Sequence, residues 1–361
     1  INYRYDALGN LIADEQEEIQ NIDWTVYGKI KTITRKNTSV KPDLEFKYDA
    51  GGNRYMKIVK PKSPVSTGAT TYFAPEKDWK YTFYVRDASG NMMATYERNT
   101  LPQTAANTYK DELKIDEHSI YGSSRLGLQT YNSSTPVLSS RTYTATEAAS
   151  GVFNRPVTYS GTPTVTPAVT RFGTERGNKL FELTNHLGNV LATISDDRKG
   201  VDGVYNYVGT GGNYTLQNDA YVSVPAGTGD YNRTTAPDGV NNEEYYPVVA
   251  SAQSYYAFGA LMPGKANNPG GYRYGFNGKE NDNEVKGDGI QQDYGMRIYD
   301  SRIGKFLSVD PLAKDYPMLT PYQFAGNIPI KYIDLDGLDP AKNPKDPANQ
   351  DGRNPTNIIH A

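Results

Sequence analysis

The last fifth of the chain holds two acidic turn motifs whose aspartates carry a side chain able to do acid–base chemistry. Asp310 opens the turn motif Asp310-Pro311-Leu312-Ala313, and Asp334, twenty-four residues on, opens Asp334-Leu335-Asp336-Gly337-Leu338. Two carboxylates held close together cannot both ionise cheaply, so they share a proton and split into a general acid and a general base. One then activates a water against a peptide carbonyl while the other protonates the departing amine. Asp336 is a third candidate, placed to assist or to raise a neighbour's pKa. In the plainer reading Asp310 and Asp334 only cap turns, because proton sharing requires a proximity that spacing does not establish.

The other reactive-looking groups fit structural roles. Gly122-Ser123-Ser124 with His118 nearby lacks the Gly-x-Ser-x-Gly frame of a nucleophile elbow and reads as a turn. Gly278-Lys279 lacks the phosphate-loop frame, with Glu280 in the hydroxyl position. Asp282, Glu284, Asp288 and Asp293 are too irregular for a calcium loop and read as a solvated stretch. His118, His186 and His360 are far apart, His186 standing at a turn, and there is no cysteine. The sequence therefore calls for no metal and no cofactor. With 38 basic and 41 acidic residues intermixed, it makes no electrostatic case for nucleic acid or an anionic membrane. No run is long and apolar enough to span a bilayer.

The elements that must position the aspartates read as β-strands throughout. Tyrosine dominates the aromatics, 30 against 10 Phe and 2 Trp, and 34 Gly with 22 Pro break the chain into short pieces. An internal repeat organises the first hundred residues. Tyr3-Arg4-Tyr5-Asp6-Ala7-Leu8-Gly9-Asn10 returns as Phe46-Lys47-Tyr48-Asp49-Ala50-Gly51-Gly52-Asn53, and again as Tyr84-Val85-Arg86-Asp87-Ala88-Ser89-Gly90-Asn91. A weaker copy runs from Trp24 to Ile30, and another follows at Phe181 to Val190. Each reads as strand, turn, strand: the Asp bonds backbone N–H groups ahead of it and the Gly takes positive φ. Residues 132–177, rich in Ser, Thr, Pro and Val, read as hairpins with long loops or an insertion, and 199–248 as a second insertion with irregular strands. Residues 339–361 are polar and proline-bearing and read as a linker.

The stretch 294–338 closely resembles the Rhs-repeat-associated core of bacterial Rhs proteins, toxin-complex C components and, more distantly, teneurins. The matching residues are Arg297-Ile298-Tyr299-Asp300, Gly304-Lys305-Phe306, Asp310-Pro311, Pro321-Tyr322, Asn327-Ile328-Pro329 and Asp334-x-Asp336-Gly337-Leu338. The hairpin repeats resemble the tyrosine–aspartate (YD) repeats of the same family. The resemblance implies an all-β fold, in which hairpins wind into a spiralling sheet forming part of a hollow shell, or cocoon, plugged by the core. It divides the chain into a YD-repeat shell over 1–131, a shell continuation with insertions over 132–254, the core over 255–338, and a linker over 339–361. That linker leads to a variable C-terminal segment, commonly a toxin, and a chain opening inside a repeat is expected of a fragment of a larger polypeptide.

Several family members cut themselves directly after the Leu of a final Asp-Pro-x-Gly-Leu motif, with two aspartates assigned to the work. Carried over to this sequence, those are Asp310 and Asp334, and the cut falls between Leu338 and Asp339. This chain departs from the pattern, with Leu335 where proline is usual and no glycine in the first motif. Gly337 permits the bend that would present the Leu338 carbonyl. A substrate within the same chain needs no binding step, so a weak catalyst suffices for one turnover. The expected function is encapsulation and delivery of the chain's own C-terminal effector, outside the producing cell and with a secretion or delivery partner. The competing expectation is a secreted cell-surface structural or adhesive protein with a non-cleaving core, whose tyrosine faces suit carbohydrate stacking.

Overall fold

The computed structural model describes residues 2–63, 72–73, 79–102, 108–131, 137–144, 177–201, 206–208, 215–217, 244–315, 317–338 and 340–342. Most of the two expected insertions and the chain beyond 342 lie outside them. The described chain is all-β. Fourteen strands, from Tyr3–Tyr5 to Leu261–Asn267, lie side by side in sequence order and pair antiparallel. The row does not close into a barrel: among the described residues no pairing joins its first strand to its last. No helix of the described residues is long and apolar enough to cross a membrane.

The repeat motif explains the hairpins atom by atom. Asp6 Oδ1 accepts the N–H groups of Leu8 (2.9 Å) and Asn10 (2.8 Å), while Asn10 Nδ2 donates to the other carboxylate oxygen. Asp87 repeats the arrangement with Ser89 and Asn91, and Asp49 accepts from Asn53. In the weaker copy Thr25 replaces the aspartate and accepts from Lys29 N–H. In the copy at 185–189 the aspartate's place is taken by Asn185, which accepts from Leu187 and Asn189, with the exposed His186 beside it.

One face of the sheet carries a core of Leu11, Ile19, Ile22, Ile30, Ile33, Leu44 and Phe46, closed by Val285, Ile298 and Leu307 from the C-terminal segment. That segment crosses the strands in reverse order, meeting a charged or polar partner at successive strands. Tyr272 meets Glu182 at 2.7 Å, Arg273 meets Asp116 and Glu117, and Glu280 meets Tyr84. Asp282 takes Arg54 in a two-pronged pair (2.7 and 2.9 Å), and Glu284 takes Lys57. Arg35 donates to the backbone carbonyls of Glu284 and Val285. Lys286 bridges Asp14 (3.1 Å) and Asp300 (2.7 Å), and Arg302 reaches Asp14 and Glu17. The sequence-based expectation of a solvated loop at 282–293 is therefore overturned for Asp282 and Glu284. Asp282 is fully buried, and Asp293 also pairs with Arg54 at 2.9 Å. A fully buried carboxylate persists only with a charge partner, and the strand arginine supplies it.

The segment ends against the first hairpin, so the C-terminal region packs along the row of strands back to its beginning. Its own centre is aromatic: Phe276, Tyr294, Tyr299, Phe306 and Phe324 pack with ring centroids 4.2 to 6.3 Å apart, mostly tilted or edge-on.

Candidate functional site

The two aspartates are carried by different loops that this aromatic cluster holds together. Asp310 follows strand Lys305–Phe306, and its N–H donates to Pro321 O at 2.9 Å. Its carboxylate accepts from Leu312 N–H at 2.8 Å, closing the turn that the Asp-Pro motif encodes. Asp334 ends strand Tyr332–Asp334, and its Oδ1 accepts the Gly337 N–H at 2.6 Å. Both side chains are buried.

Between them stands Arg297, itself 1% exposed. Its Nη2 lies 2.8 Å from Asp310 Oδ2 and 3.8 Å from Asp334 Oδ2, so the two oxygens are no farther apart than the sum of those distances. The same guanidinium donates to the carbonyls of Gly337, Leu338 (3.3 Å) and Pro321 (3.3 Å), and it stacks 3.8 Å over the Phe306 ring. One cation thus touches both carboxylates and the carbonyl on the N-terminal side of the 338–339 bond.

Burial acts strongly on Asp334. It pushes the Asp334 carboxyl up to about 7, Asp336 adds to the rise, and the Gly337 N–H and Arg297 pull the other way. With Oδ1 engaged by Gly337, the proton of the neutral form belongs on Oδ2, the oxygen facing Arg297. Asp310 is the direct ion-pair partner of Arg297. The two aspartates predicted from sequence are thus brought together, with an arginine mediating between them.

The loop 335–338 is pinned from several sides. Lys279, whose ammonium burial pushes down in pKa, donates to Leu335 O, and Met296 N–H donates to Asp336 O at 2.7 Å. These contacts supply the restraint that a proline at 335 would otherwise give. Gly337 adopts φ +92°, and a Cβ there would lie 2.8 Å from the Arg297 backbone nitrogen, so glycine is required twice over. Asp336 is exposed, and its carboxylate accepts the Leu338 N–H at 3.1 Å. It shapes the loop instead of joining the buried pair. Asp339 lies outside the described residues. Just beyond it Pro340–Lys342 forms a strand paired with Tyr332–Asp334, where the sequence suggested only a linker.

Sequence reasoning missed Arg297 and Lys279 as site residues, although both occur in the stretches it singled out. Nothing in a local pattern marks an arginine as buried. His118 bonds Tyr131 (2.7 Å) on the sheet, and Gly122 N–H closes a turn on Ser124 O, in keeping with a turn.

No family model matches the sequence. Salivary gland surface protein 1 of Aedes aegypti is 33% identical over 90 residues, which are 25% of this chain and 2% of that protein. Among solved structures the chain is similar to a TcdB2-TccC3 structure without the hypervariable C-terminal region. The identity is 15%, the match covers 88% of this chain and 10% of that one, and the TM-score is 0.38. It is also similar to the Photorhabdus luminescens Tc holotoxin pore, at 16% identity over 93% of this chain and 11% of that one, with a TM-score of 0.41. The chain spans about a tenth of these solved chains and a far smaller part of the curated relative.

Proposed function

We propose that this chain is the C-terminal part of a secreted β-shell of the Rhs type, whose core cuts its own backbone after Leu338 and detaches an enclosed effector segment. The observation that carries the cut is the position of Arg297, bonded at once to Asp310 and to the Leu338 carbonyl, with Asp334 Oδ2 3.8 Å away. Arg297 polarises that carbonyl and stabilises the oxyanion that forms on it. Asp310, ion-paired to Arg297 at 2.8 Å, is the base that takes a proton from water. Asp334, whose carboxyl burial pushes up to about 7 and so leaves about half protonated at neutral pH, is the acid that protonates the departing amide nitrogen. Water adds across one peptide bond: its OH stays on Leu338 as a carboxyl group and its hydrogen leaves on the Asp339 amine. Because the site is filled by its own loop, the reaction is a single turnover.

The shell reading is supported by the long unclosed row of repeat hairpins, the C-terminal region packed along it, and the motif resemblance of both parts. A second reading, an adhesive surface protein, draws on tyrosines exposed at hairpin tips, Tyr27 and Tyr256 among them. The two are separated in the parent protein by chromatography. Encapsulation predicts a fragment beginning at Asp339 that co-elutes with the shell under native conditions and separates in denaturant. The adhesive reading predicts one uncut chain.

A further inference from the structure

We propose that docking of the first hairpin makes the aspartate site competent, so that the cut after Leu338 reports that the chain's first strands and its core have met; this rests on the self-cleavage reading. Gly9 and Asp310 are 301 residues apart in sequence, yet the first hairpin touches both segments that hold Asp310. On one side, Leu11 N–H donates to Leu307 O at 2.9 Å, and the Gly9 backbone packs against Val309, the residue immediately before Asp310. On the other, the Tyr322 hydroxyl donates to Gly9 O at 2.8 Å, and the Tyr5 ring lies 6.0 Å from the Tyr322 ring. The neighbour of Tyr322 is Pro321, whose carbonyl accepts both the Asp310 N–H (2.9 Å) and Arg297 Nη1 (3.3 Å). A two-residue lever therefore links the turn of the first repeat to the base and to the cation of the site.

The fit at Gly9 is close. With φ +86°, an added Cβ would lie 2.6 Å from the Tyr322 hydroxyl oxygen and 2.7 Å from a Val309 methyl. Between 307 and 322 the chain runs mainly through turns, and such segments are ordered only by what they touch. With the hairpin undocked, the Asp310 loop loses an anchor on each side. A chain that had not yet packed its core against the first strands would keep its C-terminal segment attached.

The test uses the full chain and three variants: Tyr322→Phe, Gly9→Ala and Gly28→Ala. Gly28 also sits in a repeat turn at positive φ (+73°), but a Cβ there meets nothing within 4 Å. Gly28→Ala therefore reproduces the backbone strain without the clash. Amide exchange over 306–313 and the fraction cut are followed together. Loss of one hydrogen bond raises exchange at Asp310 by about fivefold in Tyr322→Phe, more in Gly9→Ala, and not in Gly28→Ala; the cut slows in the same order. Wild-type exchange in both Tyr322→Phe and Gly9→Ala would overturn the coupling. Faster exchange with an unchanged cutting rate would overturn the gating. A wild type that never cuts refutes self-cleavage, and exchange alone then decides whether the hairpin orders the Asp310 loop.

Discussion

Asp334→Asn should make the protein's stability less sensitive to pH in a calculable way. Burial raises the Asp334 carboxyl from 3.8 to about 7. Since the folded pKa exceeds the unfolded one, the native state holds this proton more tightly. The resulting stability is complete below about pH 4 and is lost as pH rises through about 7. At 1.36 kcal/mol per unit the whole window is worth about 4 kcal/mol, of which about 2.5 kcal/mol falls between pH 5 and 8. Asparagine keeps an acceptor for the Gly337 N–H and has nothing to titrate. The variant should therefore gain about 2.5 kcal/mol relative to wild type between those pH values. Urea unfolding followed by fluorescence reads this, since Trp24, whose ring N–H donates to Leu11 O, reports on the first hairpin beside the core. Each protein is compared with itself at the two pH values. If wild type and variant respond to pH equally, the carboxyl titrates normally and its role as a proton-bearing acid is refuted.

Other consequences are as direct. Arg297→Lys, which cannot span two carboxylates and three carbonyls, should slow the cut by at least about a hundredfold, measured as the fraction cleaved over time. Gly337→Ala should cost about 1–3 kcal/mol in denaturant midpoint and displace the Leu338 carbonyl, through its φ of +92° and the contact with Arg297. The cutting rate should fall with rising pH above about 7 as Asp334 loses its proton, and Asp336→Asn should move that fall to lower pH. Arg54→Met, leaving fully buried Asp282 without its two-pronged partner, should destabilise by about 3–5 kcal/mol, and adding Asp282→Leu should recover most of it in calorimetry.

What the sequence disclosed and what it withheld divide along the range of the forces involved. The hairpin turns were legible because Asp6, Asp49 and Asp87 bond groups two to four residues away, so the whole interaction lies within the motif. The pairing of Asp310 with Asp334 was legible only as a possibility raised by motif resemblance, because the distance between them is set by an aromatic cluster drawn from four separate segments. Arg297, Lys279 and the ion pairs of Asp282 and Glu284 were not legible at all. Arg54 and Asp282 are 228 residues apart, and no local periodicity signals that an acidic residue will be buried against a strand from another repeat. The Pro340–Lys342 strand was missed for a similar reason: it is held by pairing with Tyr332–Asp334, and its own composition disfavours a strand.

The most direct test of the account is the intact mass of a chain extending past Ala361, measured under denaturing, non-acidic conditions for wild type, Asp310→Asn and Asp334→Asn. Acid is avoided because the Asp339-Pro340 bond is itself acid-labile and would mimic a cut one residue late. The account predicts a wild-type break between Leu338 and Asp339 that both variants abolish. A wild type that stays whole at neutral pH would contradict it and leave the Arg297 cluster as a purely structural clasp.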